Sequence, residues 1–256
     1  MSDIDKLRRR ILDVAYRDNM GHIPSALSIL DLIWCLYNKI MTKDDQFILS
    51  KGHGVMALYA VLEEKGLLDW SKRLMGHPKR GGEILASTGS LGHGLPMAVG
   101  LALAKKIKNE PGRVYCLIGD GECNEGTTWE SAMVAAHHKL NNLVVIVDQN
   151  HSSDRALDTG DLRKKFNVFG FNSFEIAGHE AKRPSTIDKR SYKITMNSLK
   201  YAQTLEEVIE TKNEKNPKSI VCNTIKGNGI PFMQENSWHN KKLSEEDYNK
   251  AISCLK

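Results

Sequence analysis

Unbroken apolar runs ending in glycine or a polar residue dominate the pattern of this chain. "RVYCLIG" (113–119) and "NNLVVIVDQN" (141–150) carry Val, Ile and Leu at consecutive rather than alternate positions. Strands of that kind are buried on both faces, as in parallel sheets. "QFILS" (46–50) and "SIVCNTIKG" (219–227) read as two further strands. Between them the period changes to that of helices, in "VMALYAVLEEKG" (55–66) and "TWESAMVAAHHKL" (128–140). Thr127 with Glu130 three residues on reads as a capping box for the second of these. Near the N-terminus Leu7, Ile11, Val14 and Ala15 share one helical face, which predicts an amphipathic first helix. Strand–helix alternation of this type predicts an α/β fold, a doubly wound parallel sheet flanked by helices.

The 256 residues suffice for one large α/β domain or two small ones, and we read residues 1–256 as one domain. The segment 180–205 interrupts the pattern and reads as an insertion. Composition is that of a globular protein, with 41% hydrophobic and 26% charged residues. No apolar run reaches the ~18 residues that a membrane helix requires. The N-terminus lacks the apolar stretch of a signal peptide. Five cysteines without CxxC spacing indicate reduced thiols and a cytoplasmic setting. Cys123 reads as a passive small residue, since no base accompanies it. The net charge of +5 concentrates in 180–200, at Lys182, Arg183, Lys189, Arg190, Lys193 and Lys200. Without interleaved aromatics or a nucleic-acid motif, this run reads as a solvated loop and not as a nucleic-acid site.

The chemistry concentrates at two strand ends. In open parallel sheets ligands bind beyond the carboxyl ends of the strands. The first strand end delivers Asp120, between Gly119 and Gly121; the second delivers Asn150 thirty residues later, about the length of one βαβ crossover. If these strands are neighbours, the two side chains converge. A carboxylate plus an amide oxygen suits Mg²⁺, which takes few protein ligands and keeps water and phosphate oxygens. The flanking glycines allow a sharp turn and a close approach to phosphate.

The full set of blocks goes further. "GHIPSALS" (21–28), "LSKGHG" (49–54), "MGHP" (75–78), "STGSLGHGLPMAVG" (87–100), "GDGECNEG" (119–126), "VDQN" (147–150), "TIKGNG" (224–229) and "NSWHN" (236–240) follow one another in an order that resembles the N-terminal domain of transketolases. The resemblance implies that the chain binds thiamine diphosphate and transfers a two-carbon ketol unit from a ketose to an aldehyde. It implies that Asp120, Asn150 and the backbone carbonyl of Ser152 ligate Mg²⁺ or Ca²⁺. Gly121, His53 and His239 would meet the diphosphate, and Gly89 and Leu91 the aminopyrimidine. His22, His77 and His239 would bind substrate oxygens and shuttle protons, work suited to groups that titrate near neutrality. Glu125 would lie at a subunit interface near a catalytic Glu of the partner.

Full-length transketolases are more than twice this long. The resemblance therefore implies a separate pyrimidine-binding subunit in an α₂β₂ assembly. A 2-oxo-acid decarboxylase or a deoxyxylulose-phosphate-synthase-like enzyme shares the GDG…N pattern, but the histidine set favours ketose chemistry. "GHIP" and His93 depart from the usual pattern of the family, in the substrate pocket rather than the metal site. His137 and His138 read as structural.

Overall fold

The computed structural model describes residues 2–72, 76–154, 157–177, 198–211 and 215–255. Most of the basic run and of the expected insertion lies outside them. The helices are α1 (Asp3–Arg17), α2 (Ile23–Cys35), α3 (Val55–Glu64), α4 (Gly94–Lys108), α5 (Gly126–His137), α6 (Leu162–Val168), α7 (Ser198–Glu210) and α8 (Glu245–Ser253). The strands are β1 (Gln46–Leu49), β2 (Val114–Gly119), β3 (Leu143–Gln149), β4 (Asn172–Ala177) and β5 (Lys218–Asn223). The chain forms two compact units, Met1–Asn38 with Gly52–Gly89 and Ile225–Lys256, and Lys39–Lys51 with Ser90–Thr224.

The first unit is helical. Leu7, Ile11, Val14 and Ala15 are all buried along α1, as the sequence pattern predicts. α1, α2 and α3 pack on one another, and α8 packs on α1. α2 is buried nearly all round, which its low polar content permits, and Pro24 in its first turn sacrifices no needed donor. Asp31 on α2 accepts from Arg8 Nη2 at 3.1 Å and from Asn228 Nδ2 at 2.9 Å. Gly227, at φ +71°, donates its amide to the Pro24 carbonyl at 3.0 Å. These bonds fix the "TIKGNG" turn against α2.

The second unit holds a five-stranded parallel sheet of order β1-β2-β3-β5-β4. Every residue of β2 is buried, as are all but the last of β3 and of β5. From β2 to β3 and from β3 to β4 the chain steps one way across the sheet, and from β4 to β5 it steps back. Right-handed crossovers therefore put α7 on the face opposite α5 and α6, which is a doubly wound sheet. Besides the helices α4, α6 and α7, which the sequence reading did not place, three details differ from it. β5 stops at Asn223, because Thr224–Gly229 leaves the sheet for the turn just described. β4 is an additional strand; it is an edge strand of mixed polarity, without the continuous apolar run of its neighbours. The capping box at Thr127 and Glu130 is not made: α5 begins at Gly126, one residue ahead of Thr127.

Candidate functional site

Within the helical unit, three histidines from three separate blocks form a triangle. Ring centroids lie 5.3 Å apart for His22 and His53, 5.3 Å for His22 and His239, and 5.9 Å for His53 and His239. His22 precedes α2 at φ +61°, a left-handed conformation uncommon outside glycine. His53 sits in the 3-10 turn Gly52–Gly54 that leads into α3. Gly21 allows the close approach: a Cβ there would lie 2.0 Å from Asn240 Oδ1 and 2.8 Å from the Asn240 carbonyl. His77 packs against glycine backbone; Cβ atoms added at Gly52 and Gly89 would lie 3.0 and 2.9 Å from its Cδ2. The expected substrate histidines thus divide into a triangle containing His22 and His239 and a neighbour of Gly52, His77. A cavity of about 160 Å³ opens beside His22 and His53, lined also by Met20, Val55 and Met56.

Lys226 contributes a group that the sequence reading passed over. It is buried, and its Nζ lies 3.1 Å from His239 Nδ1. An ammonium has no acceptor, so Nδ1 accepts and the ring proton sits on Nε2. Among the described residues no group of three His, Cys, Asp or Glu is arranged to hold a metal ion.

In the sheet unit, β2 and β3 are parallel neighbours with Gly119 opposite Asp148, so Asp120 and Asn150 leave the same end of adjacent strands. Asp120 opens a 3-10 turn, Asp120–Asn124. Its Oδ1 accepts from the Gly121 amide at 2.8 Å, whereas Oδ2 is buried without a hydrogen-bond partner. Burial pushes the Asp120 carboxyl above its ordinary value and the nearby Asp148 charge adds to this, while Lys51 and the Gly121 and His151 amides pull it down. A buried carboxylate oxygen with no donor costs free energy. A divalent cation on Oδ2 would remove that cost, so the residues present fit a hard cation.

Asn150 is held in one orientation. Its Nδ2 donates to Asp148 Oδ2 at 2.9 Å, and its Oδ1 accepts from the Ser152 amide at 3.1 Å. Asp148 in turn accepts from Lys51 Nζ and Thr224 Oγ1. His151 at φ +60° lets this turn close between Asn150 and Ser152. Lys51 and Asp148 are nearly fully buried. The "VDQN" block shows Asp148 as an acid ending an apolar run, the same signal that singled out Asp120.

Glu122, inside "GDGECNEG", was also missed. It is 1% exposed. Burial raises its carboxyl, against the pull of Ser50, Gly119 and Gly92. Glu125 precedes α5 and is half-buried. Leu91 is 42% exposed, and His93 Nδ1 lies 2.8 Å from the Leu91 carbonyl. Cys123 is buried and its thiol is pushed far up by burial, which fits a passive residue. His137 and His138 are exposed at the end of α5.

A parallel sheet with an acid and an amide at adjacent strand ends is an arrangement of the kind that suits an anionic ligand with a hard cation. Residues 2–254 match the family described as transketolase, thiamine diphosphate binding domain, and the chain belongs to that family. It is 32% identical to an apulose-4-phosphate transketolase subunit of Phocaeicola vulgatus, over 97% of this chain and 90% of that protein. It is 34% identical to the corresponding apulose-4-phosphate transketolase subunit of Actinobacillus succinogenes, over 92% and 88%. It is 32% identical to 6-deoxy-6-sulfo-D-fructose transketolase subunit SqwG of a Clostridium species, over 97% and 93%. Among solved structures, Leishmania mexicana transketolase superposes with a TM-score of 0.80 at 25% identity, over 98% of this chain and 41% of that one. The chain thus spans about two fifths of that full-length transketolase, and it matches relatives of its own length that are named as subunits. Among the described residues no helix is long and apolar enough to cross a membrane.

Proposed function

We propose that this chain is the diphosphate-binding subunit of a two-subunit transketolase in the cytoplasm, completed by a separate pyrimidine-binding subunit in an α₂β₂ assembly. With that partner it would move a two-carbon ketol unit from a ketose donor to an aldehyde acceptor. The near-complete coverage of relatives that are themselves named as transketolase subunits supports the two-subunit reading. We read residues 1–256 as one cofactor-binding domain in this assembly, with an insertion around 180–205 whose last residues, 198–205, belong instead to the sheet-flanking α7.

Thiamine diphosphate, when bound, supplies the carbanion chemistry of the reaction. Asp120, Asn150 and the Ser152 carbonyl hold Mg²⁺ or Ca²⁺, and Gly121 donates its amide to the diphosphate. His53 and His239 donate to diphosphate oxygens, as a His239 proton on Nε2 allows. Gly89 and Leu91 present backbone groups to the aminopyrimidine. His22, His77 and His239 bind the donor's hydroxyl and carbonyl oxygens and carry protons. Glu125 faces the partner subunit.

The unpartnered, buried Oδ2 of Asp120 carries this reading. Asp120→Ala is expected to abolish Mg²⁺-dependent thiamine diphosphate binding by the complex in a calorimetric titration. Undiminished binding would sink the metal assignment. The named relatives make apulose 4-phosphate and 6-deoxy-6-sulfo-D-fructose the first donors to screen.

A further inference from the structure

Glu122 joins three segments of the sheet unit that are remote in sequence. Its Oε1 accepts from Ser50 Oγ at 2.5 Å, just past β1, and from the Gly92 amide at 3.0 Å. Its Oε2 accepts from the Gly119 amide at 2.8 Å, the last residue of β2. Ser50 Oγ passes the link on by accepting from the Gly94 amide at 3.1 Å, at the start of α4. Four donors are therefore ordered by one carboxylate and one hydroxyl, each about 1% exposed.

The backbone around them lies flush. A Cβ at Gly92, which has φ +74°, would come within 2.5 Å of Thr127 Oγ1 and 2.8 Å of Glu125 Cβ. A Cβ at Gly94 would come within 2.4 Å of the Ser50 side chain and 2.6 Å of its Cα. The loop carrying Leu91 thus packs closely on the start of α5 and on Ser50. Hydrogen bonds to Glu122 and Ser50 fix its height there. A carboxylate suits this place because all three groups facing it are donors; a carboxamide would turn an NH₂ against an N–H or O–H.

We propose that Glu122 is a positioning residue that locks the Ser90–His93 loop to the Gly119–Gly121 turn, so that the groups meeting the two ends of thiamine diphosphate are set at a fixed separation before the cofactor arrives. This rests on the cofactor-binding reading above, but it assigns a role to a residue that touches neither cofactor nor metal. Preorganisation of this kind acts on affinity, because a loop that must be ordered on binding weakens it. Supporting partners of metal and ligand groups typically contribute 10–100-fold in affinity.

The test compares wild type, Glu122→Gln and Ser50→Ala, each as the full chain with its partner subunit. Thiamine diphosphate and Mg²⁺ are titrated calorimetrically, and amide hydrogen exchange at Gly92 and Gly119 is followed in the cofactor-free chain. Glu122→Gln is expected to weaken cofactor binding about 10–100-fold. It should also speed exchange at Gly92 and Gly119 at least about tenfold, with β3 amides unchanged. Ser50→Ala, which removes one donor and keeps the carboxylate, should move both readouts the same way by less. If Glu122→Gln does not fold, Ser50→Ala decides alone. Wild-type affinity and wild-type exchange at Gly92 in the folded variant would overturn the proposal. Failure of the wild-type complex to bind thiamine diphosphate would overturn the cofactor reading instead, whatever exchange at Gly92 shows.

Discussion

Lys226 and His239 show how much chemistry one pair can set. The ammonium 3.1 Å from Nδ1 selects one tautomer of a ring that faces two other histidines. Replacing Lys226 with Met keeps most of the buried stem and removes the donor. We expect His239 then to populate both tautomers, visible in its ring ¹⁵N shifts, and donor KM to rise several-fold. An unchanged tautomer ratio would exclude Lys226 as the selector. At this scale the sequence marked candidate ligands and was silent about the groups that support them. Asp120, Asn150 and the histidines stand in quotable blocks. Glu122, Lys51, Asp148 and Lys226 stand in the same blocks, but a buried polar residue is recognised only once its partners are known. Those partners lie far along the chain: Lys51 with Asp148, Ser50 with Glu122.

At the scale of elements, the apolar runs located β1, β2, β3 and β5, and the helical period located α1, α3 and α5. β4 escaped because an edge strand need not be apolar on both faces. The N-terminus of α5 escaped because turn geometry, and not the Thr127–Glu130 spacing, decided where the helix begins. α7 is closed at its end from outside the helix. Lys218, opening β5, donates to the carbonyls of Val208, Ile209 and Thr211. Burial lowers the Lys218 ammonium below its ordinary value, yet these carbonyls sit at the negative end of the helix dipole. Lys218→Met should cost about 1.5–3 kcal/mol in urea unfolding, the range for hydrogen bonds to a charged group. A loss below about 0.5 kcal/mol would show that the carbonyls find water instead.

For the whole molecule, the sequence reading of one domain and the two compact units lead to a calorimetric experiment. We expect a single cooperative unfolding transition for the cofactor-free chain. In the complex with its partner, thiamine diphosphate with Mg²⁺ should raise the midpoint. At a ligand concentration 100 times Kd the stabilisation is about 2.7 kcal/mol. Chelation of the metal should reverse it. Two separated transitions would argue against a single domain, and a midpoint indifferent to chelation would argue against the metal.

What the sequence determined by itself was class and chemistry. Hydrophobic period needs no partner to be read, and residues at a strand end stay beside that end whatever the rest of the fold does. Strand order was not determined, because any parallel arrangement would bury the same apolar runs. Tertiary structure alone decided that β2 and β3 are neighbours, that His22, His53 and His239 meet, and that one buried glutamate ties Ser50 and Gly92 to the Gly119–Gly121 turn. Each of these is a long-range contact, made of groups whose own segments would be equally content elsewhere.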